Sequence, residues 1–172
     1  MPPFPGPVRQ IGYVVEDFDR WVASWLAAGV GPFYVMRGLT QRVLYRGRPC
    51  RVTLSLGLAN TGDMQVEVIQ QEDSAPSVYS EFLASGREGF HQLAWWGTDF
   101  DSALRNAEAA GWPVVWLGGQ AEGVRYAYVE PSGGAATIYE IMELTDISSA
   151  FNKLIRDAAE GWDGTDPIRT VG

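Results

Sequence analysis

Two stretches of the chain repeat one another, and this repetition restricts the fold more than any other feature. Gln10 to Gly29, QIGYVVEDFDRWVASWLAAG, aligns without a gap to Gln92 to Gly111, QLAWWGTDFDSALRNAEAAG, at a constant offset of 82. Seven of the twenty positions are identical, among them Gln10 and Gln92, the Asp-Phe-Asp triplets at 17–19 and 99–101, and the closing Ala-Ala-Gly. The copies match again where Met64 to Gln70, MQVEVIQ, meets Thr137 to Glu143, TIYEIME, with Glu67 on Glu140. The offset there is 73, so the second copy lacks nine residues. A chain of this kind is a tandem duplication of one unit, and one fold must satisfy both copies.

The unit can be read from periodicity. After a proline-rich lead-in over residues 2–7, alternation predicts a strand from Gln10 to Val15. Asp17 then caps a helix in which Phe18, Trp21, Val22, Trp25 and Leu26 recur at helical spacing, and Gly29 stops it. Short β-rich runs follow at Tyr34–Met36, Gln41–Tyr45, Arg51–Leu58 and Met64–Gln70, broken by Gly38, Gly47, Pro49 and Gly62. The second copy predicts a strand over 91–96, a helix over 100–110, and strands near 113–117, 124–129 and 136–143. The expected class is therefore α+β, with tandem βαβββ modules over residues 8–70 and 90–145 forming curled mixed sheets around a cavity in a single domain. Residues 71–89 connect the modules and include a short helix from Ser77 to Ala84. Residues 146–172 form a C-terminal helix and tail, with Phe151, Leu154, Ile155 and Ala158 on one helical stripe.

Composition narrows the partners. With 13 basic against 21 acidic residues the net charge is -8, which repels a phosphate backbone and argues against nucleic acid. No run approaches the roughly 18 apolar residues of a membrane span, and the N-terminus lacks an apolar export segment. Cys50 is the only cysteine, so an intrachain disulfide and a cysteine metal cluster are excluded, and a cytoplasmic setting is expected.

Alternate residues of a strand face one side, so the repeated positions can be assigned to faces. Pseudo-symmetry sets Gln10 opposite Gln92 and Glu67 opposite Glu140, and in curled sheets their oxygens converge. Burying two carboxylates together is costly unless a cation pairs with them or one keeps its proton. The plainer reading of Glu67 and Glu140 is a solvated strand end or an ion pair with Arg51 or Arg125. The plainer reading of Gln10 and Gln92 is a hydrogen-bonded core pair. His91, the only histidine, should by alternation face away from the cavity, although a β-bulge at Gly89-Phe90 would turn it inward in place of Gln92. Trp96 shares the face of Gln92 and, with Arg125 and Tyr126, is a candidate for the substrate pocket. Asp17, Asp19, Asp99 and Asp101 sit where helix caps sit and are assigned no chemistry. The glycines of Gly118 to Arg125 lack the strand-to-helix context of a phosphate loop and read as a hairpin connection. No role is evident for the turn-forming run Gly161 to Pro167 around Trp162.

The paired βαβββ units, the openings QIGYVVEDFD and HQLAWWGTDFD, and the glutamates of VEVIQ and YEIME resemble the vicinal oxygen chelate superfamily. That superfamily holds glyoxalase I, methylmalonyl-CoA epimerase, extradiol dioxygenases and bleomycin-resistance proteins. The resemblance covers residues 8 to 145 and is far more specific for fold than for reaction. It implies a divalent ion held by a His or Gln on the first strand and a Glu on the last strand of each unit, which here are Gln10, Glu67, Gln92 and Glu140, with His91 as an alternative to Gln92. Many relatives carry His at one or both opening positions, whereas this chain has glutamine at both. Amide and carboxylate oxygens favour Mg²⁺, Mn²⁺, Co²⁺ or Ni²⁺ over Zn²⁺.

Three functions follow. The first is a metal-dependent lyase, isomerase or epimerase acting through an enolate on a small carbonyl compound or acyl thioester, with Glu67 or Glu140 moving the proton. The second is a metal-free binding protein of the bleomycin-resistance kind, whose aromatic cleft holds a flat or cationic ligand. The third is metal-free acid-base isomerisation, with Glu67 and Glu140 sharing a proton. Oxygen-dependent ring cleavage is disfavoured, because a two-histidine facial triad is absent. The resemblance also implies a homodimer, and the two units can also pair with each other within one chain.

Overall fold

The computed structural model describes residues 3–4, 6–119 and 123–172. The first module runs β1 (Gln10–Val14), α1 (Phe18–Ala27), β2 (Phe33–Tyr45), β3 (Arg48–Thr61) and β4 (Met64–Gln71). Helix α2 (Val78–Ala84) lies in the connector. The second module runs β5 (Gly89–Gly97), α3 (Phe100–Ala109), β6 (Val114–Gly118), β7 (Tyr126–Val129) and β8 (Ile138–Glu143), followed by α4 (Asp146–Ala159) and β9 (Ile168–Thr170). Part of the connection read as a hairpin, residues 120–122, lies outside the described residues.

The strands form one curled sheet in the order β3-β4-β1-β5-β8-β7-β6-β2-β9, and an additional β3–β2 pairing closes its first eight strands into a barrel. Within each module the first strand pairs in parallel with the last, β1 with β4 and β5 with β8. The modules join through the antiparallel β1–β5 pair and the β2–β6 pair. The barrel is therefore closed within a single chain.

The duplication also sets the layers. On α1, Phe18 and Val22 pack with Val66 and Val68 of β4 on the outer face of the first module. On α3, Phe100, Ala103 and Ala107 pack with Ala127, Val129 and Ile141 on the outer face of the second. Asp17 accepts from Arg20 N at 3.0 Å and Asp99 from Ser102 N at 3.1 Å, so the repeated aspartates cap equivalent helices. Asp19 pairs with Arg37, and Asp101 with Arg125. Inside the barrel, Val14, Leu54, Leu56, Ile69, Trp116 and Ile138 form the core, which Val78, Tyr79 and Phe82 of α2 complete. Helix α4 lies against Tyr34 and Leu58 through Ile155.

Two readings of the strands change. Residues 34–36 and 41–45 belong to a single strand, β2, whose register against β3 shifts between Met36 and Leu39. Gly38, at φ +64, absorbs that irregularity, so the glycine marks a bulge and not a break. The tail also carries an unexpected strand: β9 pairs in parallel with Phe33–Val35, on the length of β2 that β6 does not reach. The run Gly161 to Pro167 makes the turn that returns the chain there. Trp162 Nε1 donates to Thr165 O at 2.7 Å, its ring lies over Gly31, and Phe33 N donates to Pro167 O at 2.8 Å. No described helix is long and apolar enough to cross a membrane.

Candidate active site

Strand register builds the site from two rows that the duplication exchanges. One row places Glu67 beside Gly12, Gly12 beside Gln92 and Gln92 beside Ile138; the other places Gln65 beside Gln10, Gln10 beside Ala94 and Ala94 beside Glu140. Gln10 thus corresponds to Gln92, Gly12 to Ala94, Glu67 to Glu140 and Gln65 to Ile138. Side chains on these rows project to the interior, where Gln10, Gln92 and Glu140 are all buried.

In the first row the symmetric expectation is met. A Cβ on Gly12 would stand 2.4 Å from Gln92 Cγ, so the bare glycine is what allows the Gln92 side chain to lie across β1. Gln92 Nε2 then donates to Glu67 Oε2 at 3.0 Å, Glu140 Oε2 at 3.0 Å and Tyr128 OH at 3.2 Å. In the second row Ala94 carries the methyl that Gly12 lacks, and Gln65 replaces the apolar Ile138. Gln10 Nε2 bonds to Gln65 Oε1 at 2.7 Å, and Gln65 in turn donates to Asn152 of α4 at 3.4 Å. The amide of Gln10 is thus committed away from the carboxylates, and its Oε1 is buried with no partner.

His91 does not face away, and it does not replace Gln92. The β1–β5 register passes from Gly12–Gln92 to Tyr13–Phe90, leaving His91 as the extra residue of a bulge. Both side chains are therefore buried, with His91 Nδ1 2.7 Å from Gln92 Oε1. The imidazole is held among Phe82, Tyr79 and Tyr128, with ring centroids at 4.8, 6.2 and 6.5 Å. Burial lowers its pKa to about 4, so it is neutral at physiological pH.

Glu67 and Glu140 line a pocket of about 120 Å³ with Gln41, Leu54, Leu56, Ile69, Tyr79, Tyr126, Tyr128 and Met142. Neither glutamate has an arginine partner among the described residues. Desolvation raises Glu67 to about 7 against the pull of its bond to Gln92. Desolvation and the charge of Glu67 raise Glu140 well above the carboxylate range. Glu67 is partly accessible through the pocket, whereas Glu140 is 6% exposed. Tyr126 OH donates to Gln41 Oε1 at 2.6 Å. Together with Gln41, Val124 and Tyr126 also line an adjoining cavity of about 220 Å³ that Arg42 borders.

Two expected pocket residues lie elsewhere. Arg125 packs on the Phe100 ring of α3 and pairs with Glu143 and Asp101 at 2.7 and 2.9 Å, which fixes it on the outer side of the sheet. Trp96 is on the face of Gln92 but four residues further along β5, about 13 Å at strand rise, and lines a separate cavity with Asn152 and Lys153 of α4. The sequence reading missed Tyr79 and Tyr128, whose hydroxyls are 2.9 Å apart. Tyr128 had a legible signal, since it pairs with Glu140 across β7–β8; Tyr79 entered only because α2 completes the core.

Among the described residues, no cluster of three or more His, Cys, Asp and Glu side chains is arranged to hold a metal ion. The donor set is instead two carboxylates and an amide, and it fits an oxygen-seeking divalent ion. An oxygen in the place of Gln92 Nε2 would stand 3.0 Å from a carboxylate oxygen of each glutamate, so that three oxygens, the donor type such an ion takes, would meet there. Turning the amide end for end puts Oε1 there.

The sequence profile of the glyoxalase/bleomycin resistance protein/dioxygenase superfamily matches residues 9–128. Among solved structures, a hypothetical protein from Bacillus halodurans C-125 superposes with a TM-score of 0.61 at 14% identity, over 81% of this chain and 95% of that one. Methylmalonyl-CoA epimerase from Mycobacterium tuberculosis superposes with a TM-score of 0.59 at 18% identity, over 83% and 91%. The Streptomyces coelicolor epimerase with 2-nitronate-propionyl-CoA gives 0.53 at 18%, over 81% and 95%. In sequence, subunit PurL of phosphoribosylformylglycinamidine synthase from Lactobacillus delbrueckii subsp. bulgaricus is 28% identical over 106 residues. The alignment covers 58% of this chain and 14% of that subunit, so the chain spans about a seventh of the length of this curated relative.

Proposed function

The chain belongs to the glyoxalase/bleomycin resistance protein/dioxygenase superfamily, and on that premise we propose that it is an isomerase or epimerase that moves a proton at the carbon beside a carbonyl or acyl-thioester group. The observation that carries this reading is the buried glutamate pair, with Glu67 and Glu140 each 3.0 Å from the same Gln92 nitrogen at the wall of a small apolar pocket. Structural stability alone gives no reason to bury two carboxylates together. A general base poised near neutrality does give one. The fold likeness to methylmalonyl-CoA epimerases suggests short acyl thioesters as the first substrates to try.

In this mechanism Glu67, Gln92 and Glu140 would hold a divalent cation. When bound, that ion supplies Lewis-acid polarisation of the substrate carbonyl. Glu67, partly accessible from the pocket, takes the α-proton and returns it. Tyr79 and Tyr128, whose hydroxyls are 2.9 Å apart beside the glutamates, would supply a phenolic donor to a developing oxyanion. Leu54, Leu56, Ile69 and Met142 keep water from the carbanion.

Pocket size favours this reading over capture of a flat drug-like ligand. About 120 Å³ admits a reacting group of a few heavy atoms, whereas drug-sized ligands fill about 300 Å³ or more. The adjoining cavity beside Arg42 can take the remainder of a larger substrate. The test is α-proton exchange. Short 2-substituted acyl-CoA thioesters and small α-hydroxy and α-keto carbonyl compounds are incubated in D₂O with protein and Mg²⁺, Mn²⁺, Co²⁺ or Ni²⁺, and deuterium uptake is followed. Exchange that falls by about 10²-fold or more in Glu67→Gln supports the reading. Binding without exchange across the panel sinks it in favour of a binding protein.

A further inference from the structure

We propose that the tautomer of His91 follows which end of the Gln92 amide faces the two carboxylates, and therefore changes when a divalent cation enters the site. The inference rests on the cation reading above and extends it to a residue outside the donor set.

An amide has a donor end and an acceptor end, and Gln92 has partners for both. Its Nε2 faces Glu67 and Glu140, and its Oε1 faces His91 Nδ1 at 2.7 Å. Both glutamates accept from the donor end, so an oxygen is left for the imidazole and the Nδ1 atom must carry the proton. A cation between the glutamates reverses this arrangement, because it takes an oxygen and repels the NH₂ group. The amide then turns over and presents Nε2–H to His91. Nδ1 can accept that bond only if it is bare, which places the imidazole proton on Nε2. One proton leaves Nδ1 and one is gained at Nε2, exchanged through solvent, so the net charge of the ring is unchanged.

The surroundings leave no other way to make the bond. Rotating the imidazole by half a turn would put a carbon against Gln92, and the ring is packed among Phe82, Tyr79 and Tyr128. His91 Nε2 is buried without a partner, so neither tautomer is locked from the far side of the ring. The first copy of the duplication provides an internal comparison. The residue matching His91 is the exposed Arg9, and Gln10 there turns its amide to Gln65 and not to the carboxylates. An inward glutamine with a histidine beside it occurs only where the bulge adds one residue to β5.

Because His91 is the only histidine, ¹⁵N-histidine labelling of the full chain reports on this residue alone. In chelator-treated protein, long-range ¹H–¹⁵N spectra should show the Nδ1-protonated pattern. Titration with Mg²⁺, or with Zn²⁺ if Mg²⁺ is not taken up, is followed in parallel by calorimetry. It should make the two ring nitrogens exchange their shifts at saturation, and Glu140→Gln should leave the cation-free pattern in place under the same titration. An Nε2-protonated ring before cation is added overturns the proposal. So does exchange of the shifts in Glu140→Gln, which would place the cation elsewhere. Cation uptake without a change of tautomer overturns this inference alone, leaving the cation reading intact. Uptake of neither ion overturns both.

Discussion

At the scale of single residues, the site depends on one missing methyl group. Gly12→Ala places a Cβ 2.4 Å from Gln92 Cγ, with the side chain hemmed in by Glu67, Glu140 and His91. Overpacking of this kind costs about 1–3 kcal/mol, and displacing a positioned group by about 1 Å costs about 10²-fold in rate. The substitution should therefore lower both denaturation midpoint and α-proton exchange, and a variant with full exchange would show that Gln92 need not lie across Gly12. Glu140→Gln should behave differently. Because Glu140 is raised well above the usual range, folding at pH 7 must protonate it, and a neutral amide that removes this cost should raise stability at pH 7 in cation-free protein. The same variant should lose the stabilisation that added Mn²⁺ gives the parent protein. Loss of several kcal/mol without cation would mean that Glu140 is ionised in the folded chain. Gln92, Glu67 and Glu140 were legible because the duplication marks them twice. Gln10 was marked just as strongly, but its placement was set by residues where the copies differ, Gln65 for Ile138 and Ala94 for Gly12. The identities between repeats identify candidate donors, and the differences between them decide which of those donors converge.

Among the elements, α4 gives the clearest case of a sequence pattern resolved by packing. The stripe of Phe151, Leu154, Ile155 and Ala158 is present, but its members are not equally covered. Ile155 is fully buried against Tyr34 and Leu58, while Leu154 is 52% exposed. Ile155→Ala should cost about 2–5 kcal/mol and Leu154→Ala no more than about 0.5 kcal/mol in chemical denaturation. Equal losses would require a second surface covering Leu154. The order of strands and helices was readable because each module alternates its periods clearly and caps its helices with the same Asp-Phe-Asp. What escaped was any feature that costs one residue or a few. The bulge at His91 leaves no compositional trace, since both His91 and Gln92 are polar. The irregularity at Gly38 looked like a break because glycine serves either purpose. Strand β9 is three residues long and exists only because β2 offers an unpaired edge, which no local signal announces.

For the whole molecule, a closed barrel removes most of both glutamates from solvent, and that desolvation should appear as an unusual dependence of stability on pH. Glu67 has a folded pKa of about 7 against a model value of 4.5. A raised folded pKa contributes stability that is fully present below the unfolded value and is lost as pH rises through the folded one. The window therefore runs from about pH 4.5 to 7, and the difference corresponds to about 3 kcal/mol. For a chain of this length that is roughly 6–12 °C in melting temperature. Chelator-treated protein should thus melt lower at pH 8 than at pH 5, and Glu67→Gln should reduce the difference to the part that buried Glu140 contributes. A divalent cation acts in the opposite sense. It must displace protons from its ligands, so it competes poorly at pH 5 and stabilises more at pH 8, where fewer protons oppose it. Thermal melts across this range with and without Mn²⁺ separate the terms: a fall with pH that the cation reverses points to the glutamate pair as the origin of both effects. A melting temperature level from pH 5 to 8 in chelator would show that Glu67 ionises near its unfolded value, and the argument for it as a base poised near neutrality would fail with it.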